Sequence, residues 1–253
     1  MSYNSEETIR KTIESVENQT YPNIEYIVVD GASTDGTISI LEERSSVVDC
    51  WISEPDKGIY DAMNKGIRIS TGDVVGIINS DDWYEEDAVQ RAVDGFRKNV
   101  GLVHGAMRIW GEDGSVKSLY GAKSYIPESI SAPFNHPTCF VRKEVYKEIG
   151  LYETKYKIAS DYDFMIRFID SKYEAKYIDR VISNFRQGGI TSKESVPVIE
   201  FYELLRNNGY GLGGTFASII ARLLKRYSAS LVRSLFNSEI KNYIRSFIPY
   251  HKK

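Results

Sequence analysis

The sequence predicts an α/β protein built on a doubly wound, mostly parallel β-sheet with a helical tail. Short runs rich in β-branched residues alternate with amphipathic helical segments through residues 1–110, which is the pattern of right-handed βαβ units. Three of these runs lead directly into acidic positions, at Asp30, Glu54 and Asp81. Because ligands bind beyond the carboxyl ends of the strands in such open sheets, these acids mark the expected site.

The first helix is expected over residues 4–18, because Asn4 and Glu7 have the spacing of a capping box. The elements that follow alternate in type. They are a strand over residues 24–30, a helix from residue 37, a strand within 47–53, a helix over 59–70, a strand over 74–79 and a helix over 85–99.

Beyond residue 99 the pattern is less regular, as expected of the half that faces a substrate. The sequence predicts a strand over 101–110, a hairpin turn at 111–114, a loop over 131–138, a strand over 139–142, a helix that ends at Ile149 before Gly150, and a helix that opens at Ser160.

Composition and charge narrow the class of protein. The chain has 253 residues, of which 42% are hydrophobic and 26% charged, so wholesale disorder is not expected. The net charge of -3 hides a basic tail over residues 209–253, which carries about +7 and leaves about -10 for the rest. Nucleic-acid binding is poorly supported, because the basic residues are confined to this tail without a larger basic field.

The tail is expected to form an amphipathic helix, and its role has two interpretations. Its apolar residues share one helical face, and they are Phe216, Ile220, Leu223, Leu224, Tyr227 and Leu231. A basic amphipathic helix of this kind lies on anionic membranes. The same face could instead pack on the catalytic domain or on a second subunit of a homodimer. We favour the membrane.

The compartment is expected to be the cytoplasm. Cys50 and Cys139 stand in apolar sequence surroundings and are expected to be reduced core residues. The chain opens without a charged-then-apolar leader, and no apolar stretch approaches the roughly 20 residues that span a bilayer. Secretion and membrane spanning are therefore not expected.

The segment "IINSDDWY", residues 77–84, ends an apolar run in the adjacent carboxylates of Asp81 and Asp82. Burying such a pair without a positive partner costs on the order of several kcal/mol. Mg²⁺ or Mn²⁺ is the expected partner, because both accept carboxylate oxygens and neutralise the phosphates of a nucleoside diphosphate. Taken alone, the acid pair is more often a helix cap on a solvated face.

Three segments together resemble the family 2 glycosyltransferases with the GT-A fold, in particular the branch that builds bacterial O-antigen and other surface polysaccharides. They are "SYNSEETIRKTIESVENQTYPNIEYIVVDGASTDGT", "SEPDKGIYDAMNKGIRISTGDVVGIINSDDWY" and "KIASDYDFMIRF". The resemblance covers roughly residues 2–190. It implies a GT-A catalytic domain over 1–208, with a nucleotide-binding half at about 1–110 and an acceptor half at about 111–208, before the tail at 209–253.

The resemblance also implies an activity. The chain would be an inverting, metal-dependent hexosyltransferase that uses Mn²⁺ or Mg²⁺ and a nucleotide-sugar donor, expected to be UDP-linked. Its acceptor would be a saccharide on a lipid diphosphate, so the enzyme would be peripheral to the inner face of the cytoplasmic membrane.

Site residues follow from the same resemblance. Tyr3 and Asp30 would lie around the nucleobase and ribose, with Asp81 nearer the ribose and Asp82 as the direct metal ligand. Asp161 would be the catalytic base. The "EPDKG" loop beside the nucleotide pocket would supply Glu54, Asp56 and Lys57.

Chemistry supports one base at Asp161. Sugar transfer with inversion needs a carboxylate within hydrogen-bond reach of the acceptor hydroxyl, opposite the departing diphosphate. The alternative is that Ser160 and Asp161 only begin a helix, where an acid favours the dipole by about 0.3–1 kcal/mol. Asp163 points off a different helical face.

Other side chains keep a structural interpretation beside a functional one. His136, in a Pro-bounded loop, is expected to be structural. Tyr60, Trp83 and Tyr84 could stack on base or sugar but more often pack. Arg186, in "FRQGGIT", could contact phosphate.

The sequence departs from the family pattern at three places. An apolar strand normally precedes the "SYN" segment, and it would lie between the strands ending at Asp30 and Asn79, so unpaired backbone is expected there. Gly31 stands where many relatives carry an acid that helps read the base. Ser160 stands where relatives often carry Glu.

Two other functions remain as alternatives. A noncatalytic nucleotide-sugar-binding subunit would share the pocket. A sugar nucleotidyltransferase would also use an α/β sheet and a metal, but it needs an N-terminal Gly-rich loop with a basic residue, which the sequence lacks.

Overall fold

The computed structural model describes residues 1–121, 134–188 and 198–208. The chain forms two compact units, which are Met1–Ser124 with Pro133–Ser195, and Tyr125–Ala132 with Val196–Lys253. In the second unit the described part is one helix, Val198–Asn207. The predicted tail helix at 209–253 and part of the "FRQGGIT" segment lie outside the described residues.

The first half of the first unit alternates helices and strands, which confirms the predicted α/β class. In order they are α1 (Ile9–Glu17), β1 (Ile27–Asp30), α2 (Thr37–Glu43), β2 (Cys50–Ser53), α3 (Ile59–Ile69), β3 (Val74–Gly76), β4 (Trp83–Tyr84) and α4 (Ala88–Gly95). Each longer strand ends at or near the predicted residue but begins later or stops earlier than its apolar run.

The second half is less regular, as predicted. It contains β5 (Val100–Trp110), β6 (Val116–Tyr120), a short 3-10 helix (His136–Thr138), β7 (Phe140–Arg142), α5 (Lys143–Ile149), α6 (Ser160–Ile169) and β8 (Glu174–Arg186), and the second unit adds α7 (Val198–Asn207). The β5–β6 hairpin confirms the predicted turn, where Gly114 has a φ of 74°. Gly150, with a φ of 87°, ends α5 as predicted.

The described strands form two β-sheets. β1 and β2 pair in parallel. A second sheet has the order β3-β7-β5-β8-β4, with β6 paired to β5. In it β5 and β8 are parallel, whereas β7 runs antiparallel to both β3 and β5. Because β7 pairs with β3, the second half of this unit lies directly beside β3.

The predicted capping box at Asn4 is wrong. α1 begins at Ile9, and its N-cap residue, Thr8, makes no side-chain capping bond. Asn4 instead has a φ of 46°, and its side-chain oxygen accepts a hydrogen bond from Thr34 N at 2.9 Å. Asn4 therefore fixes the loop after β1, a contact that depends on a residue 30 positions away.

The prediction for Cys50 is also wrong. Cys50 is exposed as the first residue of β2, and only Cys139 is buried; both are free thiols. Within the described residues β2 pairs with β1 alone. Its far edge therefore lacks the second neighbour that would bury Cys50.

A cavity of about 580 Å³ separates β1 from β3. Among the described residues, Met1 and Ser2 alone bridge it: Ser2 N donates to Val29 O at 2.9 Å, and Ser80 N donates to Met1 O at 3.1 Å. Three helices cover its faces with Ile9 and Val16 of α1, Met63 and Ile67 of α3, and Val89 and Val93 of α4. The edges of β1 and β3 therefore face each other across a mostly apolar space, where unpaired backbone was expected.

We expect an apolar, β-branched segment of five residues, fused ahead of Met1, to raise the thermal midpoint of unfolding by about 5 °C or more. Among the described strands, β1 and β3 are edge strands, and their free edges face the cavity. On these edges, Val29 O already accepts a hydrogen bond from Ser2 N, and Ile78 O, just after β3, accepts one from the Met1 amino group. The added strand would pair with both edges and bury its side chains.

A Gly-Ser segment of the same length is the matched control for this extension. It can reach the cavity but supplies no apolar surface, so its effect should stay within about 1 °C. Equal midpoints for the two extended proteins in calorimetry would show that the cavity does not accept a strand.

In the described part of the chain, no helix is long and apolar enough to span a membrane.

Candidate active site

The predicted acids lie on neighbouring segments at the carboxyl ends of three strands. Asp30 is the last residue of β1, the loop 54–58 follows β2, and Asp81 and Asp82 follow β3. Asp161 lies in the first turn of α6. All of these segments belong to the first unit.

Asp30 is fully buried and saturated with hydrogen bonds. Its Oδ1 accepts from Ser2 Oγ at 3.0 Å and Ser33 Oγ at 2.5 Å, and its Oδ2 accepts from Ser33 N at 2.8 Å and Ser53 Oγ at 2.7 Å. Burial raises the pKa of Asp30, but these bonds outweigh it and lower the pKa below its usual value. Asp30 therefore organises the loop after β1 and presents no free oxygen to solvent.

Tyr3 and Asp56 flank Gly31. A Cβ atom at Gly31 would lie 2.7 Å from Asp56 Oδ2 and 3.4 Å from Tyr3 Cδ2. The Asp56 carboxylate therefore takes the space of a side chain at position 31, which gives a local reason for the departure there. Tyr3 is 60% exposed, so its ring face is open to a planar ligand.

Two hydrogen bonds to backbone N–H groups and one ion pair hold the rest of the 54–58 loop. Asp56 Oδ1 accepts from Gly58 N at 2.8 Å, and Lys57 N donates to Asp61 Oδ2 at 3.1 Å. The Lys57 residue is exposed. Glu54 pairs with Lys65 at 2.8 Å, which accounts for its charge without a ligand.

Asp82 is buried beside Asp81. Its Oδ1 accepts from Arg186 N at 3.0 Å, and its Oδ2 lies 3.4 Å from Asn79 Nδ2. Burial, and then the charge of Asp81, raise the pKa of Asp82 well above its usual value. Burial also raises the pKa of Asp81, although Arg186 and the chain amino group oppose it.

The amino group of Met1 shows how close these acids are. It is partly buried and donates to Ile78 O at 3.2 Å. Burial lowers its pKa to about 6, although the charges of Asp81, Asp30 and Asp82 all raise it. The charges of acids from β1 and from the turn after β3 therefore act on the same amino group.

The donor set at Asp82 fits a hard divalent cation. Asp81 and Asp82 are adjacent carboxylates, and the buried Asn79 Oδ1 has no hydrogen-bond partner among the described residues. No group of three or more His, Cys, Asp or Glu side chains in the described residues is placed to hold a metal. Mg²⁺ is commonly held by one or two carboxylates with substrate phosphates and water completing its shell, so this set suffices.

Among the described residues, hydrogen bonds reach only one oxygen of the Asp161 carboxylate. Its Oδ1 accepts from Tyr162 N at 2.9 Å and from the Tyr60 hydroxyl at 3.0 Å. Its Oδ2 receives no hydrogen bond from the described part of the chain. A carboxylate with one fixed and one open oxygen can accept a proton from a bound hydroxyl.

Buried side chains connect the Asp82 region to Asp161. Burial raises the pKa of Tyr84, and the charges of Cys139 and Asp82 add to this. Burial likewise raises the pKa of the Cys139 thiol, with a further contribution from Asp161. The charge of Asp82 thus acts on Tyr84, and the charge of Asp161 acts on Cys139.

Two further residues have the structural roles that were predicted. Asp163 is buried and pairs with Arg167 at 2.8 Å, while Arg167 Nη2 donates to Leu151 O. His136 Nε2 lies 2.9 Å from the Tyr152 hydroxyl, and burial lowers its pKa. Neither side chain is needed to explain a proton transfer at Asp161.

Sequence reasoning missed two contributors. Tyr60 was expected to stack or pack, but its hydroxyl binds Asp161. Arg186 was considered only for phosphate, yet its backbone N binds Asp82 and its guanidinium lies 5.9 Å from the Trp83 ring. No local signal announces either contact, because the partners are 101 and 104 positions apart.

Comparison with protein families matches residues 1–150 to Glycosyl transferase family 2. An uncharacterized glycosyltransferase of Mycobacterium tuberculosis is 30% identical over 185 residues, which cover 66% of this chain and 66% of that protein. The chain thus spans about two thirds of the length of that relative.

Solved structures share the fold. S. aureus TarS in complex with UDP-GlcNAc has a TM-score of 0.66 at 18% identity, over 86% of this chain and 68% of that one. The mannosyltransferase PcManGT from Pyrobaculum calidifontis, in complex with GDP-Man and Mn²⁺, has a TM-score of 0.61 at 18% identity, over 96% and 81%. At these identities the likeness is one of fold, and it confirms the predicted GT-A-like α/β architecture.

Proposed function

Because the chain belongs to glycosyl transferase family 2, we propose that it is an inverting, metal-dependent hexosyltransferase that uses a UDP-linked donor. The acceptor is a saccharide on a lipid diphosphate, and the reaction contributes to bacterial surface polysaccharide such as O-antigen or capsule. The observation that carries this proposal is that the first unit holds the buried Asp82 next to the partly buried Asp81, and a separate carboxylate, Asp161, with one oxygen that accepts no hydrogen bond from the described residues.

On the donor side, the exposed ring of Tyr3 stacks on the nucleobase beside Asp56. Lys57 lies at the edge of the pocket and binds the phosphates. Asp30 fixes the shape of the pocket by accepting hydrogen bonds from the surrounding serines, Ser2, Ser33 and Ser53. Asp81 contacts the ribose. GDP remains a possible nucleotide in the test below, since the neighbouring mannosyltransferase binds GDP-Man.

Asp82 would hold Mn²⁺ or Mg²⁺, with Asp81 and Asn79 beside it. The cation supplies charge neutralisation of the departing diphosphate. The neighbouring mannosyltransferase, whose fold this chain shares, was solved with Mn²⁺. Without a cation, these two adjacent carboxylates would repel a diphosphate instead of binding it.

On the acceptor side, Asp161 Oδ2 takes the proton of the acceptor hydroxyl. The acceptor oxygen forms a bond to C1 of the donor sugar as the bond from C1 to the diphosphate oxygen breaks on the opposite face. The electron pair of that bond leaves with the diphosphate. Attack from the face opposite the leaving group inverts the configuration at C1.

The lipid-linked acceptor and the membrane location rest on the basic tail, residues 209–253. A basic amphipathic helix on an anionic leaflet would hold the enzyme where a lipid diphosphate acceptor resides. The site would then face the inner surface of the cytoplasmic membrane.

The test is a thermal-shift screen of UDP-glucose, UDP-galactose, UDP-GlcNAc and GDP-mannose, each with Mn²⁺ or with EDTA. A donor at about 100 times its Kd adds about 2.7 kcal/mol of stability, so we expect one UDP-sugar to raise the midpoint by about 5–10 °C with Mn²⁺ only. Equal shifts in EDTA would contradict the metal requirement.

Turnover assays separate the alternatives. Release of the nucleoside diphosphate together with transfer to a lipid-linked acceptor is the expected result. Tight donor binding without transfer to any acceptor would favour the noncatalytic subunit, and pyrophosphate release from a nucleoside triphosphate and a sugar phosphate would favour a nucleotidyltransferase.

A further inference from the structure

Tyr60 joins the donor-side loop to the carboxylate on the acceptor side. It is the second residue of α3, which starts directly after the loop that carries Asp56 and Lys57. Its hydroxyl lies 3.0 Å from Asp161 Oδ1 and 2.8 Å from Ile158 O, and its side chain is buried. The single phenolic proton is thus shared between two acceptors in the segment that begins α6.

The position of the Tyr60 ring is fixed by its surroundings. It stacks on Tyr152 with ring centroids 5.8 Å apart. One turn later on α3, Asn64 binds both the N–H and the C=O of Tyr152, at 3.0 and 2.8 Å. The same helix therefore holds the ring and the surface on which it rests, so the hydroxyl has little freedom to move away from Asp161.

The phenol stays a donor at neutral pH. Burial, and then the charge of Asp161, raise the pKa of Tyr60 well above its usual value. Together with Tyr162 N, it fills the hydrogen-bonding positions on Oδ1 of Asp161. The open oxygen of that carboxylate, Oδ2, is left for an incoming hydroxyl.

We propose that Tyr60 is a positioning residue for the base: it holds Oδ1 of Asp161 and thereby directs Oδ2 at the acceptor hydroxyl. This inference rests on the proposed function, because it requires Asp161 to take the acceptor proton. It also gives the start of α3 a second role, since the same turn supports the loop beside the nucleotide.

The test is Tyr60→Phe, which keeps the ring and its stacking on Tyr152. We expect kcat to fall about tenfold, the value for one lost hydrogen bond to a charged group, with the KM for donor within about twofold. Because the lost donor favoured the ionised form of the base, the acidic limb of the kcat profile should move to higher pH.

Tyr146→Phe is the matched control. Tyr146 is another buried tyrosine of the same cluster, and its hydroxyl lies 3.4 Å from that of Tyr152 without contacting Asp161. It should lose stability only, with an unchanged acidic limb. An unmoved limb in Tyr60→Phe, with kcat within about twofold of the parent, would overturn the positioning role.

A double-mutant cycle separates this inference from the proposed function. In the Asp161→Asn background, Tyr60→Phe should change the residual rate by less than about twofold, because the hydroxyl acts through Asp161. A further tenfold loss there would refute the inference and leave the function intact. Full activity of Asp161→Asn alone would refute both.

If Tyr60→Phe does not fold, 3-fluorotyrosine at position 60 keeps the shape and gives a stronger hydrogen-bond donor. The acidic limb should then move to lower pH. A limb that stays in place would count against the inference.

Discussion

Asp161→Asn is expected to lower kcat by about 10²- to 10⁴-fold, the range for loss of a positioned general base. The amide keeps the size of the carboxylate and can still accept from Tyr60 and Tyr162 N through its oxygen. It cannot take a proton at neutral pH, however, so the acceptor oxygen stays protonated as it attacks. Donor affinity, measured by calorimetry with Mn²⁺, should stay within about twofold.

Asp163→Asn is the control for this change, because it removes a carboxylate two residues away on the same helix. Asp163 is buried against Arg167, so its loss should lower the free energy of unfolding by about 1–3 kcal/mol. The kcat of the folded fraction should not change. If Asp163→Asn lost turnover and Asp161→Asn kept it, the base would be misassigned.

Asp82→Asn is expected to abolish the dependence of donor binding on the cation. A metal contributes several kcal/mol to holding the diphosphate, so the Kd for donor in Mn²⁺ should rise about 100-fold, to the value seen in EDTA. The substitution keeps an oxygen that can accept from Arg186 N, which limits its structural effect. Titration calorimetry with and without EDTA measures both values.

The same variant should be more stable than the parent when no cation is added. Burial and the charge of Asp81 raise the pKa of Asp82, so its ionised form costs the fold stability once the pH exceeds the unfolded value of about 3.9. The gain, about 1–3 kcal/mol, should be present at pH 7 and vanish near pH 3, in urea unfolding curves.

Asp73→Asn serves as the control for Asp82. Asp73 is exposed and precedes β3, whereas Asp82 follows that strand, so the two lie toward opposite ends of it. Its loss should leave the Kd for donor and its cation dependence unchanged. A parallel loss in both variants would point to general charge effects instead of a site at Asp82.

Local patterns predicted where two of the acids lie in the fold. An apolar run that ends in an acid identifies the carboxyl end of a strand, and that is where Asp30 and Asp82 lie. The contacts that determine their chemistry were not predictable, because they come from elsewhere in the chain. Ser2 and Ser53 saturate Asp30, and Arg186 N binds Asp82 from 104 positions away.

Patterns failed where a polar side chain had two possible partners. Asn4 has the spacing of a helix cap, but its side-chain oxygen instead accepts a hydrogen bond from Thr34 N in the loop after β1. Tyr60 was expected to pack or stack, because the helical pattern of the sequence indicates that its side chain is buried. The same pattern does not show that its hydroxyl donates to Asp161. Such choices depend on tertiary contacts that no window of sequence contains.

The long strand β8, Glu174–Arg186, was not predicted either. Its sequence, "EAKYIDRVISNFR", mixes charges into the apolar alternation. It is still a strand because β5 pairs with it in parallel along its length. Pairing with an existing buried strand overrides a weak intrinsic preference.

The central claim is that acids from separate parts of the chain act on one bound nucleotide sugar and its cation. A crystal structure of the protein with UDP and Mn²⁺ tests it most directly, because manganese can be located by its anomalous scattering. We expect the manganese peak within coordination distance of an Asp82 oxygen, with the open oxygen of Asp161 facing the same cleft. A manganese peak away from Asp82, or an Asp161 carboxylate turned from the nucleotide, would contradict the account.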